Sequence, residues 1–165
     1  MESIITAATV ATLFFNTATQ GTGNFVYNAD MEQGQVKSLC VFNQKGTYLE
    51  RKLKYSYAYD AEERLVRKEA FIWNEYKNQW EPDYRLDYAY TETGYSLERR
   101  NWDRHAKEYG DACSAMEYEM VFGNVMAVNI YKYNARAEEL RLTGNMLVMN
   151  PQESQLLALE SEICQ

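Results

Sequence analysis

From residue 24 onward, large and small or charged residues alternate with a period of two, the pattern of strands that turn one face toward a core. Between Leu49 and Tyr59 the odd positions are Leu49, Arg51, Leu53, Tyr55, Tyr57 and Tyr59, and the even ones are Glu50, Lys52, Lys54, Ser56 and Ala58. In the stretch Trp80 to Tyr90, residues Trp80, Pro82, Tyr84, Leu86, Tyr88 and Tyr90 share a face, and Met116, Tyr118, Met120 and Phe122 do so between Ser114 and Phe122. Alternations of this length predict antiparallel strands of about ten residues. The segments 60–64, 91–94 and 123–124 predict hairpin turns, since Gly and Asn supply positive φ and Asp bonds its own following backbone. The first of them has no Gly and predicts a longer loop. Strands are expected at 24–28, 35–42, 48–59, 65–73, 80–90, 96–102, 112–122 and 125–133, with a last one at about 140–149.

A repeated unit supplies the other set of turns. A large aromatic is followed by Asn or Asp, then five residues, then a second aromatic or Leu. The copies are Phe42-Asn43 with Leu49, Trp73-Asn74 with Trp80, Trp102-Asp103 with Tyr109, and Tyr133-Asn134 with Leu140, their starts 31, 29 and 31 residues apart. A constant period of this size marks stacked supersecondary units. The Asn or Asp is expected to start a turn, and the large residues to pair across its base. The fold class predicted is all-β: an antiparallel up-and-down meander of eight or nine long strands built from hairpin repeats, forming a curled sheet or open barrel.

The flanks change the picture at both ends. Residues 1–23 carry no charge except Glu2, and Ile4 to Phe15 is a twelve-residue apolar run. It is too short to span a bilayer as a helix and has the length of a signal-peptide core, although no Lys or Arg precedes it. The alternative is a buried helix or strand of the domain. Residues 24–150 form the β-repeat domain, and 151–165 a tail whose Leu156, Leu157, Leu159 and Ile163 suit a short amphipathic helix or an apolar strand.

Composition then removes several classes of function. With 46% apolar residues in 165, the chain folds around a core rather than remaining disordered. A net charge of −7 argues against a nucleic-acid binder, which needs a basic face, and against attraction to an anionic membrane. Cys40, Cys113 and Cys164 are odd in number and lack CxxC spacing, which excludes a disulfide framework or zinc site; buried free thiols are expected, with one disulfide of unassigned pairing as the alternative.

Catalytic equipment is thin. The one histidine, His105, sits in a charged turn, and no HExxH, GxSxG, GxGxxG or phosphate-cradling glycine loop occurs. No cofactor and no metal site is expected. Asp83 with Asp87 and Glu117 with Glu119 are the carboxylate pairs a glycosidase would need, but alternating charges are the ordinary pattern of a solvated strand face. The fourteen tyrosines suit a core layer with a wet margin. Set against that is a stacking platform for sugar rings or a peptide, for which the candidates are Trp73, Trp80, Trp102, Tyr109, Tyr84 and Tyr88. The repeat would bring the three indoles to one edge of the sheet.

Several motifs together resemble a family. Phe25-Val26-Tyr27-Asn28, the run Leu53 to Asp60, Arg64-Leu65, Trp73-Asn74, Trp80-Glu81-Pro82 and the spaced Tyr-x-Tyr pairs are similar to small uncharacterised secreted proteins of gut Bacteroidetes, a domain of unknown function built from tyrosine-rich YD-like β units. The resemblance covers residues 24 to about 140; Met120 replaces the second Tyr of the pair in the third period. It implies export to the periplasm, cell surface or medium, with no membrane span left after processing, and carries no activity. The expectation is an exported, non-catalytic module that binds a glycan, a peptide or an envelope protein, with a homodimer as one assembly it could form. The alternatives are a structural or assembly protein of the envelope and a polysaccharide hydrolase.

Overall fold

A computed structural model describes residues 5–20 and 24–149. One helix, α1 (Ala7–Gln20), precedes nine strands: β1 (Phe25–Glu32), β2 (Gln35–Lys45), β3 (Tyr48–Tyr59), β4 (Leu65–Asn74), β5 (Gln79–Tyr90), β6 (Gly94–Asp103), β7 (Glu108–Phe122), β8 (Val125–Asn134) and β9 (Glu139–Met149). They follow in chain order in one sheet, from β1 to β9. The meander read from the alternation is therefore the fold. Several strands run longer than expected, β7 reaching back to Glu108, because the turns of the repeat are short. The expected C-terminal helix lies outside the described residues.

The described chain divides into two compact units within β5, one of Thr6–Arg85 and one of Ile5 with the strands from Leu86 onward.

In the first unit α1 begins with a reciprocal cap. Thr6 Oγ1 accepts from the Thr9 amide at 3.3 Å, and Thr9 Oγ1 from the Thr6 amide at 3.4 Å, which satisfies donors that a helix start leaves open. The Ala7 amide donates to the Glu63 carbonyl at 2.9 Å, and Thr6 bridges to Arg64, so the helix is tied to the β3–β4 loop. That loop lacks Gly, as read, and is built on Asp60, which accepts from the amides of Glu62 and Arg64 and from the Arg64 side chain. Ala7, Thr9 and Val10 are buried, as are Val36, Val41, Leu65 and Ala70.

Strand β3 departs from the simple alternation. Leu53 pairs with Val41 but Arg51 with Phe42, so Lys52 is an extra residue in a β-bulge. Neighbouring residues of β2 point to opposite faces, so their partners do too. Leu49 and Arg51 therefore lie on the face opposite Leu53 and Tyr55, and the single odd-numbered row from Leu49 to Tyr59 is broken in two.

Part of the rows read from the alternation forms the core of the second unit, but Phe122 leaves its row. Met120 pairs with Met126 and Phe122 with Val125, so Val121 is an extra residue in a bulge and Phe122 lies on the face opposite Met116, Tyr118 and Met120. Leu86, Tyr88, Tyr95, Leu97, Met116, Tyr118, Met126 and Val128 are buried. Tyr95 and Tyr118 are cross-strand partners with stacked rings, centroids 4.4 Å apart, and Tyr88 and Tyr90 pack on Tyr95. Each fully buried large side chain contributes about 1.5–3 kcal/mol, so this row dominates the unit's stability. The Tyr90 hydroxyl donates to the Ile5 carbonyl at 3.1 Å, giving its polar tip a partner.

Candidate functional site

Three of the four repeat copies build the same hairpin tip. At β4–β5, Asn74 Oδ1 accepts from the Lys77 amide at 3.0 Å. Asp103 Oδ1 accepts from the amides of His105 and Ala106 at 2.7 and 3.1 Å, and Asn134 Oδ1 from those of Arg136 and Ala137 at 2.9 and 3.3 Å. Each tip closes on a residue in the left-handed region: Asn78, Lys107 and Glu138, with φ of 49°, 57° and 54°. The donated amide bonds hold the Asp103 carboxyl below the usual carboxylate range, those from Ala106 and His105 in that order.

The first copy differs. Its strands continue past Phe42 and Asn43 to the pair Lys45–Tyr48 and turn at Gly46-Thr47, with Gly46 at φ 63°. Phe42 faces Arg51 and Asn43 faces Glu50, so Phe42 and Leu49 do not pair. A glycine able to take positive φ closes a tighter turn two residues later than the Asn-initiated one.

At the base of the β4–β5 tip, Trp73 and Trp80 meet edge to face with centroids 5.0 Å apart. At the base of the β6–β7 tip, Trp102 and Tyr109 are cross-strand partners in the same geometry at 5.0 Å. All four residues are partly exposed. The two pairs belong to different compact units. Tyr84 and Tyr88 belong to neither pair. They are 8% and 6% exposed and share the inward face of β5 with Leu86, so they are core residues and offer no ring face to a ligand.

Beside Trp73 lies a cleft of about 440 Å³, lined by Tyr48, Glu50, Arg51, Trp73, Glu75 and Asn78. The Arg51 guanidinium sits over the Trp73 ring, 4.7 Å from its centroid. The Tyr48 ring is 66% exposed. Glu50 accepts ion pairs from Lys45 and Lys52, each at 3.1 Å, and these two ammonium groups push its pKa down to about 2. The cleft thus combines two aromatic rings with charged groups and an amide. Sequence reasoning reached Trp73 but missed Tyr48, Glu50, Arg51, Glu75 and Asn78. One signal was present: Arg51 interrupts a row of otherwise large uncharged residues.

The carboxylates weighed for hydrolysis are placed otherwise. Glu117 is exposed and accepts the Tyr131 hydroxyl at 2.7 Å, which raises the Tyr131 pKa, and Glu119 is exposed too. Asp87 lies 3.6 Å from Arg100, in a different unit from Asp83. His105 is exposed in its turn. Cys40 and Cys113 are free thiols, half-buried rather than buried, and Cys164 lies outside the described residues. No group of side chains suited to holding a metal ion occurs among the described residues, and no helix there is long and apolar enough to cross a membrane.

Residues 2–120 match a family of unknown function, DUF3836. The match begins well before the region whose motifs carried the resemblance and takes in α1, the cleft and both aromatic pairs. A crystallised protein of unknown function from Bacteroides fragilis is similar over 79% of this chain and 96% of its own, with 25% identity and a TM-score of 0.67. Crystallised DUF3836 proteins from Bacteroides vulgatus and Parabacteroides distasonis cover 76% and 82% of this chain and 98% of their own, at 25% and 18% identity and TM-scores of 0.42 and 0.43. No curated protein matches.

Proposed function

The chain belongs to the DUF3836 family of unknown function, and from that premise we propose that it is an exported, non-catalytic binding module that takes a glycan at the Trp73 cleft. The observation that carries this reading is the cleft itself. Its volume of about 440 Å³ falls within the ~300–1,000 Å³ of small-ligand sites. Sugars present apolar C–H faces and a rim of hydroxyls. Tyr48 and Trp73 offer aromatic surface for the first, and Glu50, Arg51, Glu75 and Asn78 offer donors and acceptors for the second. Short peptides and loops of envelope proteins present similar chemistry less uniformly, which ranks them behind a glycan.

The state of Glu50 supports a role without catalysis. Glu50, a carboxylate of the cleft, is held below the ordinary range by Lys52 and Lys45, opposite to the raised pKa of a glycosidase acid. Export is supported by the resemblance to secreted Bacteroidetes proteins, and mass spectrometry of the protein from its host would test it by finding the mature N-terminus. The binding reading is tested by glycan-array screening and titration calorimetry of the wild type and Trp73→Ala. Binding that Trp73→Ala weakens at least tenfold is the expected outcome; no binding, or binding indifferent to Trp73, would refute it.

A second reading, an envelope assembly subunit, is favoured by the end of the sheet. Leu142, Leu147 and Met149 of β9 and Phe122 of β7 are 56%, 66%, 71% and 81% exposed. The pairings of β7, β8 and β9 put them on one face. Sedimentation of the protein at about 100 μM would show self-association if that face mates with a second copy, and a monomer would count against it.

A further inference from the structure

We propose that the Trp73 cleft selects acidic saccharides, with the carboxylate of a uronic acid held by the Arg51 guanidinium and the sugar ring lying against Tyr48 and Trp73. This rests on the binding-module reading and narrows it to a ligand class.

The first support is the state of Arg51. Its guanidinium sits over the Trp73 ring and makes no ion pair among the described residues. A guanidinium held over an aromatic face still has five N–H donors to offer a ligand. That planar fork matches two carboxylate oxygens. An arginine preorganised in this way loses less freedom on binding an oxyanion than one that must be recruited from solvent.

The second support is that the nearest carboxylate is already committed. Glu50 is shared by Lys45 and Lys52, whose side chains are 63% and 43% exposed. Two ammonium groups on one carboxylate leave a surplus of positive charge beside Arg51, which Glu75 only partly offsets. Glu81, near the same tip, is bonded to Lys77 at 2.7 Å.

The third is where the negative charge of the protein sits. The unit Thr6–Arg85 holds ten Lys and Arg against ten Asp and Glu, and the remainder of the chain seven against fourteen. The whole surplus of −7 therefore lies outside the unit that contains the cleft. An anionic ligand meets a locally neutral unit with a cationic corner, and the net charge of the protein misrepresents that surface.

The fourth is the bulge. Without Lys52 as an extra residue, Arg51 would continue the row of Leu53, Tyr55 and Tyr57; with it, Arg51 is turned to the other face. Bulges that re-aim a side chain are common beside binding sites.

The test compares trigalacturonate, its methyl ester and a neutral trisaccharide by titration calorimetry against the full chain, with Arg51→Gln, Arg51→Lys and Trp102→Ala alongside. Trigalacturonate is expected to bind tightest, and its affinity to fall as salt rises. Arg51→Gln should weaken it roughly ten- to a hundredfold, the worth of a charge-assisted bond pair. Arg51→Lys should recover part of that loss, and Trp102→Ala, in the other unit, should leave binding unchanged. Thermal melts confirm that the variants fold. The methyl ester makes the same test with no mutation, and should bind like the Arg51→Gln pairing. Equal affinity for the acid and its ester, or for the neutral trisaccharide, would overturn the inference and leave the glycan reading standing. Failure of every sugar to bind overturns both.

Discussion

Gly94 opens β6 where no side chain fits, and Gly94→Ala tests how tightly β6 and β7 are joined. A Cβ on Gly94 would stand 1.8 Å from the Tyr118 carbonyl oxygen and 2.8 Å from its carbon. Ordinary contact begins near 3.4 Å, so about 1.6 Å of overlap must be relieved by moving backbone. Tyr118 cannot move freely: it pairs with Val128 in β8, and its ring is stacked on Tyr95. Gly94 cannot retreat without stretching its bonds to Thr91, at 2.9 and 3.1 Å, or pulling Thr93 from the Met120 amide at 2.8 Å. Overpacking of this kind costs about 1–3 kcal/mol, and the strained hydrogen bonds about 1 kcal/mol each, which points to a loss of about 4 kcal/mol. In a chain of this size that lowers Tm by about 8–16 °C. Near-UV circular dichroism during a thermal melt follows it through the packed tyrosines. Gly110→Ala is the control, since the nearest atom to its Cβ is 3.9 Å away; it should melt at or slightly above the wild type. A Gly94→Ala protein melting within about 3 °C of the wild type would refute the reasoning.

Other outcomes follow from the tips and the ion pairs. Lys107→Gly removes a side chain from φ 57° and should stabilise by about 0.5–1 kcal/mol in urea unfolding, whereas Asn78→Gly should change less because Asn tolerates this region. Glu50 is depressed from 4.5 to about 2 in the folded protein, so its contribution is complete above pH 4.5 and is lost as pH falls toward 2. Urea midpoints measured between pH 7 and pH 2 should therefore fall less steeply in Glu50→Gln than in the wild type. Asp103, lowered by the tip amides, should behave the same way, and Asp103→Asn should flatten the same acid limb while keeping an acceptor. A double-mutant cycle on Trp102 and Tyr109 should return a coupling of about 0.5–1.5 kcal/mol for the edge-to-face pair; zero coupling would show that the contact contributes only buried area.

The strands were legible because their period is local: each row from Tyr84 to Tyr88 or from Met116 to Tyr118 states its own face. Depth was not legible. Tyr84 and Tyr88 share the face of Trp80, yet they are buried while Trp80 at the tip is partly exposed. Alternation sorts residues by side and says nothing of distance from the sheet's margin. The bulge at Lys52 was hidden for a different reason, since register is a property of β2 and β3 together and not of either strand. The Phe42 copy misled because Asn43 and Gly46 compete to place one turn, and the winner depends on how far the strands can pair. The cleft escaped notice because it joins the first residues of β3 to the β4–β5 tip, about 25 residues away along the chain.

The hairpin tips have a consequence for what can be varied. In each, one Asn or Asp side chain and one left-handed residue close the loop, and the bonds run to backbone amides rather than to neighbouring side chains. The side chains between are exposed, Tyr76 completely so, apart from the half-buried Ala137. Closure is thus indifferent to what those positions carry. Residues 75–77, 104–106 and 135–136 are exchangeable cassettes on a fixed frame, and libraries placed there would alter what the protein touches while leaving the tyrosine core and the strand register as they are.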